Sequence, residues 1–247
     1  MNELQNILEE SVNRLFAERV DRAFLARCED GEWPAELWTL ANEQGLTHVL
    51  ASEAAGGMNA GWAEAFIVVR ACGRHAVPLP VPEQLLALWL VERAGISAPS
   101  GLIALLPEVL NADANGHYTL EVPRVPWGRA AQFFVGLTST QQIALFDTQF
   151  VSITPAQNLA REPRDTVHLR AASPVALGSC DLNTHAIRWL GALLRAGQIA
   201  GAAAACLELS VKYTSDRVQF GKPLSQFQAI QNHLAEIAGA MASVDTM

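Results

Sequence analysis

The sequence predicts an α+β multidomain protein with an N-terminal all-α domain, a middle antiparallel β domain and an α-helical C-terminal portion. Three observations predict it. Apolar residues recur at helical spacing through the first part of the 247-residue chain. Short apolar runs between turn residues then replace that pattern near Ser97. Helical spacing returns near Asn183 and continues toward the end. The expected domains are 1–97, 98–180 and 181–247, the last an incomplete bundle of about two helices.

The first helix is expected on Leu4, Ile7, Leu8, Val12, Leu15 and Phe16. A second starts after Pro34, where a first turn tolerates proline, carries Leu37, Trp38, Leu40 and Ala41, and stops at Gly45. A glycine-containing loop, Ser52 to Met58, precedes a helix through Trp62, Phe66, Val69 and Cys72. It has neither the Lys-Ser/Thr of a nucleotide-binding loop nor a strand before it, so it reads as a turn. Pro78, Pro80 and Pro82 introduce a further helix through Leu85, Leu86 and Leu90 to about Ala94.

In the middle region, Leu102–Leu106, Tyr118–Val122, Phe133–Leu137 and Ile143–Phe146 have the length and flanks of strands, and Asn111 to Gly116 is a turn cluster. After Asn183 or Thr184, either a suitable cap, the chain is free of proline to Tyr213. There Gly191, Gly197, Gly201 and many alanines invite close helix contact. Pro223 is expected to open a last helix with Phe227, Ile230, Leu234, Ile237 and Met241 on one stripe. Two such helices do not close a bundle. Ala240 to Met247 carry no stop signal, so the covering surface is expected from residues after Met247 or from a partner chain.

A net charge of -8 without a basic cluster argues against a nucleic-acid partner. The start, with Glu9-Glu10, is not a signal peptide, and the apolar run Leu85–Val91 is too short for a bilayer. A cytoplasmic protein with no membrane partner is expected. Cys28, Cys72, Cys180 and Cys206 form no CxxC pair and read as reduced small hydrophobes. The six histidines are scattered without a second ligand at helical spacing, so no metal site is expected.

One stretch carries more information. Arg217-Val-Gln219-Phe220-Gly221-Lys222-Pro223-Leu224, followed by Phe227-Gln228-Ala-Ile-Gln231, resembles the R-x-Q-F-G-K-P-L turn and F-Q-x-x-Q helix start of the acyl-CoA dehydrogenase family. Trp38 to Leu46 is similar to that family's W-x-x-L-A-x-x-G-L helix, Ser52 to Gly57 to its P-E-E-x-G-G loop, and Arg70 to Pro78 to its E-x-L-G-R-x-A-x-P segment. The resemblance implies a three-domain flavoprotein that binds FAD. It would desaturate an acyl-CoA thioester between Cα and Cβ, pass electrons to an electron-transfer flavoprotein or similar acceptor, and work as a homo- or hetero-oligomer.

In the family the turn reaches a neighbouring subunit's flavin. The resemblance thus assigns FAD contacts to Arg217, Gln219, Phe220 and Gln228. A guanidinium fork suits a diphosphate, the amides offer donors and acceptors, and the phenyl ring offers a face to adenine. The middle domain departs from the pattern. Leu105-Leu106-Pro107-Glu108-Val109 stands where the family has T-E-P-x-A-G-S, and Arg124 to Gly128 aligns loosely with W-I-T-N-A. This departure favours an alternative role as a non-catalytic partner subunit that lends its interface and Arg217 to the partner's flavin. The family's catalytic Glu would fall after Met247, or at Gly191 in members that carry it on the preceding helix. No catalytic residue is therefore assigned, and Glu208 reads as solvent-facing or interfacial.

Overall fold

A computed structural model describes residues 2–245. Local sequence sets most helix starts. In α1 (Glu3–Arg19) the Asn2 side chain accepts from the Gln5 amide at 2.8 Å while the Gln5 side chain accepts from the Asn2 amide at 3.0 Å, a reciprocal cap. Asp21 caps α2 (Arg22–Glu29) through the Phe24 amide. Then come α3 (Ala35–Glu43), α4 (Trp62–Arg74) and α5 (Val81–Arg93), with strands β1 (Ile103–Leu110), β2 (Tyr118–Pro126), β3 (Phe133–Thr138), β4 (Gln142–Asp147), β5 (Val151–Thr154), β6 (Arg164–Ala172) and β7 (Ala176–Ser179). The long α6 (Ala186–Asp216), the hairpin β8 (Val218–Gln219) and β9 (Lys222–Pro223), and α7 (Gln228–Asp245) follow. The expected order of helices, β region and helices is present.

The chain forms two compact units. One gathers residues to Val20, Phe66–Val77 and those from Leu194 onward; the other gathers Asp21–Ala65 and Pro78–Leu193. The second unit holds two sheets, ordered β1-β3-β4-β7 and β2-β6-β5. Pairing is antiparallel except for β1 with β3. Those two run parallel because the chain leaves β1, builds β2 in the other sheet and returns. Leu106, Phe134 and Phe146 from one sheet meet Val122, Val167 and Leu169 from the other in a dry core. Almost every residue of α5 is buried, and Gln84 on it ties helix to sheet. Its Oε1 accepts from the Ile103 amide at 2.9 Å and its Nε2 donates to the Gly101 carbonyl at 3.1 Å.

In the first unit α4 and α6 meet backbone to backbone. A Cβ at Gly73 would overlap the Gln198 carbonyl, and one at Gly201 would overlap the Arg70 carbonyl. Gly197 similarly abuts Val69 and Phe66, whereas a Cβ at Gly191 would meet nothing within 4 Å. The small residues therefore act as contact points at two of the three expected positions.

Several expectations are corrected. The segment α2 was not anticipated, because none of its residues is buried and its apolar pattern is short. Strands β5, β6 and β7 were also missed, although β6 alternates buried Val167 and Leu169 with Arg, His and Thr. Pro223 does not open the last α-helix but precedes a single 3-10 turn, Leu224–Gln226. It is extended (φ -54°, ψ 143°) and pairs with Val218, and α7 begins only at Gln228. By length and composition α6 is long and apolar enough to cross a membrane, unlike the run Leu85–Val91. Alanine and glycine supply that apolar character without a run of large side chains, and part of the helix packs closely on α4. Cys72 and Cys180 are buried, Cys28 is half-buried and Cys206 is exposed. Of the stretch Ala240 to Met247, the last two residues lie outside the described residues.

Candidate functional site

The turn after α6 is a two-residue hairpin. Val218–Gln219 pairs with Lys222–Pro223, and Phe220 (φ 51°) and Gly221 (φ 80°) are both left-handed at its tip. Two consecutive left-handed residues are what a type I′ turn demands. Gly221 takes that geometry freely, while Phe220 carries roughly 1–2 kcal/mol of backbone cost. The hairpin is anchored at its base, where the Leu224 amide donates to the Arg217 carbonyl at 2.9 Å. Behind it, Lys222 Nζ lies 4.4 Å from the Phe227 ring centroid.

This geometry presents the four expected residues outward. Arg217, Gln219 and Gln228 are exposed, and the Phe220 ring is 92% exposed while touching Phe227 edge-on at 6.3 Å. Among the described residues, the Arg217 guanidinium has no carboxylate partner. A charged fork, a bare aromatic face and two unspent amides on a braced hairpin fit the diphosphate and adenine of a dinucleotide. The apolar residues Ile199, Leu209, Tyr213 and Ile237 on α6 and α7 are likewise exposed, and no described residue of α7 is buried.

The second unit offers a different arrangement. A cavity of about 580 Å³ opens among the α2–α3 connection, α3, the turn after β2 and the β5–β6 connection. Its aromatic wall is Trp33, in edge contact with Trp127 at 5.5 Å and tilted against Trp38 at 5.9 Å. Trp127 is only 7% exposed and held in the left-handed region at φ 57°. The clamp that holds it is Asp165, which is fully buried. Its carboxylate accepts from the Arg129 amide at 2.7 Å, from Arg129 Nη2 at 2.5 Å and from the Ala156 amide at 3.0 Å. Sequence reasoning missed this clamp and the tryptophan cluster. The only signal was Trp127 in the segment that aligns loosely with W-I-T-N-A.

Where the family's T-E-P-x-A-G-S would stand, Leu105 and Leu106 are buried strand residues paired with Val135 and Gly136. Glu108 is occupied by Arg188 at 2.8 Å and 3.0 Å. This part of the β region does not fit a flavin, because it offers no hydroxyl and no unspent side-chain donor. Glu208, expected to face solvent or an interface, is exposed and is held there by Arg74 in a two-bond pair at 2.7 and 2.6 Å. That pair draws the Glu208 carboxyl below its ordinary value. In the same unit His75 bonds Asn13 Oδ1 at 2.9 Å, and burial, aided by the Arg74 charge, lowers its basicity.

The sequence pattern of the acyl-CoA dehydrogenase N-terminal domain matches residues 2–97, and that of the C-terminal domain matches residues 190–247. IpdE2, an acyl-CoA dehydrogenase of Mycobacterium tuberculosis, is 32% identical over 247 residues, covering 98% of this chain and 73% of that protein. The chain belongs to the acyl-CoA dehydrogenase family. This is a family of flavoprotein oxidoreductases of lipid metabolism with FAD as cofactor. The acyl-CoA dehydrogenase fold is confirmed by solved structures. The ChsE4-ChsE5 complex from M. tuberculosis superposes with a TM-score of 0.82 at 20% identity, over 99% of this chain and 76% of that one. Butyryl-CoA dehydrogenase from Megasphaera elsdenii superposes at 0.77 and 17% identity, over 98% and 77%.

Proposed function

We propose that the protein serves an FAD-dependent acyl-CoA dehydrogenase that desaturates an acyl-CoA thioester between Cα and Cβ. The reading rests on one observation above others: Arg217 stands exposed and, among the described residues, without an ion-pair partner on a hairpin whose tip carries Phe220. Arg217 holds the FAD diphosphate, Phe220 lies against the adenine, and Gln219 and Gln228 bond the polar edges between them. When bound, FAD supplies the acceptor for the hydride that leaves Cβ. The Cα proton needs a carboxylate, and the position considered for one on α6 is Gly191, which has none to offer. Electrons pass onward to an electron-transfer flavoprotein or a similar acceptor. The domains divide at about 97 and 180, and the protein acts in the cytoplasm as an oligomer.

A second reading is favoured by the β region. With Leu105, Leu106 and the clamped Trp127 in place of flavin-binding groups, the chain acts as a non-catalytic subunit that lends its turn to a partner's flavin. Its similarity in fold to a chain of the ChsE4-ChsE5 complex supports a heteromer.

One set of preparations tests both. The full-length protein is purified alone and together with a candidate partner chain, and flavin absorbance and acyl-CoA turnover with an artificial acceptor are measured. Flavin and turnover in the single chain support the first reading, whereas both only in the mixture support the second. Arg217→Ala is expected to weaken FAD retention about tenfold to a hundredfold. Unchanged flavin content in that variant removes the assignment of the turn.

A further inference from the structure

The tryptophan cavity uses none of the residues of the 217–228 turn and has its own chemistry. Three of the chain's six tryptophans line it. A buried indole N–H normally finds an acceptor. Among the described residues, the N–H groups of Trp33, Trp38 and Trp127 find none, and none of these nitrogens is sealed from the surroundings. The Gln157 amide at the wall is also without a partner among the described residues, and so is Arg129 Nη1, because Asp165 and the Ala156 carbonyl engage only Nε and Nη2. Arg161 adds a second guanidinium, tied only to the largely exposed Asp30 at 3.3 Å. Two side-chain acceptors nearby already have partners. Glu32 pairs with Arg27 at 3.2 Å, and Gln132 Oε1 takes the Leu102 amide at 2.7 Å.

The space is therefore walled by indole rings, rich in donors, poor in acceptors and flanked by two guanidinium groups. Its volume of about 580 Å³ lies within the range of small-molecule sites. A rigid wall suits a rigid guest. The turn that follows Trp127 is clamped by Asp165 through the Arg129 amide and guanidinium, which sets this part of the wall before anything enters.

The geometry points to a binding site for a small ring-bearing carboxylate, its rings against Trp33 and Trp127 and its oxygens on the indole N–H groups, Gln157 and Arg161. Flat rings gain from edge and face contact with indole, which a linear chain of equal area does not. The acid group answers the surplus of unpartnered N–H donors.

Isothermal titration calorimetry of the full-length protein with naphthalene-2-carboxylate tests this, with naphthalene-2-methanol, decanoate and riboflavin as comparison probes. Saturable binding is expected for the naphthoate, about tenfold or more tighter than for the alcohol or for decanoate. Arg161→Gln, at an exposed rim position, is expected to weaken naphthoate binding about tenfold. Trp33→Leu is expected to weaken it at least as much, with an unchanged circular dichroism spectrum showing that the fold survives. Three results overturn the proposal: no saturable heat with the naphthoate, equal binding of decanoate, or riboflavin binding ahead of the naphthoate at this site. The last would make the cavity a flavin pocket. A loss of FAD in Arg217→Ala without change in naphthoate binding would separate the two sites.

Discussion

The 217–228 hairpin and the Trp127–Asp165 corner both occupy segments that the family resemblance connects with flavin, and they are built in opposite ways. The hairpin spends its backbone hydrogen bonds on itself and leaves Arg217, Gln219, Phe220 and Gln228 facing outward. The corner turns its carboxylate inward, where Asp165 is satisfied by the Arg129 and Ala156 amides and by the partly exposed Arg129 guanidinium beside a buried Trp127. An exposed set of unspent donors on a braced turn costs little to maintain and is useful only to something that docks on it. A buried carboxylate matched bond for bond has no capacity left, and its role is to hold its surroundings in place.

The largest effect should come from breaking the corner. Asp165→Ala removes a fully buried carboxylate, strands the Arg129 and Ala156 amides that it accepts from and frees the partly exposed Arg129 guanidinium, and is expected to cost about 2–5 kcal/mol, read by chemical denaturation. Gly201→Val, at the crossing of α4 and α6, is expected to cost about 1–3 kcal/mol or more, because its side chain has no room beside the Arg70 carbonyl. A loss under 0.5 kcal/mol in either variant would show that the packing described is wrong there.

Arg217→Ala sharpens the contrast. With no ion-pair partner among the described residues, its loss should change the unfolding free energy by less than about 0.5 kcal/mol while FAD retention falls. A large loss of stability would place Arg217 in the structure of the chain itself. Gly191→Ala should stabilise by up to about 1 kcal/mol through helix propensity, since nothing crowds a Cβ there.

The smallest effect concerns Arg74 and Glu208. Both side chains are partly exposed, so Glu208→Gln should cost about 0.2–1 kcal/mol. The pair lowers the folded carboxyl's pKa, so its stabilisation is present above the ordinary carboxylate value of about 4.3 and is lost as pH falls through the lowered folded value. A difference between wild type and Glu208→Gln that grows toward acid would contradict this.

Much of the fold was legible because its signals are local. The stop at Gly45, the periodicity of α1 and the switch to short apolar runs need only neighbours in sequence. The hairpin was half legible. Its residues were readable as a unit, but Pro223 favours both a helix start and an extended strand end, and the pairing with Val218 decided between them. The strand β6 was legible in principle through its alternation, yet Arg164, His168 and Arg170 diluted the apolar signal.

By itself the sequence determined the order of helical and β regions, the family and the extent of the 217–228 turn. Each rests on spacing within a few turns of helix or one hairpin. Only the tertiary structure decided that Gly201 must stay small against Arg70, that Glu208 belongs to Arg74, and that Trp33 and Trp127 share a wall. Those partners lie far apart along the chain, and no local pattern encodes which of many donors a carboxylate meets, or which backbone a glycine must admit, until the packing of the core brings them together.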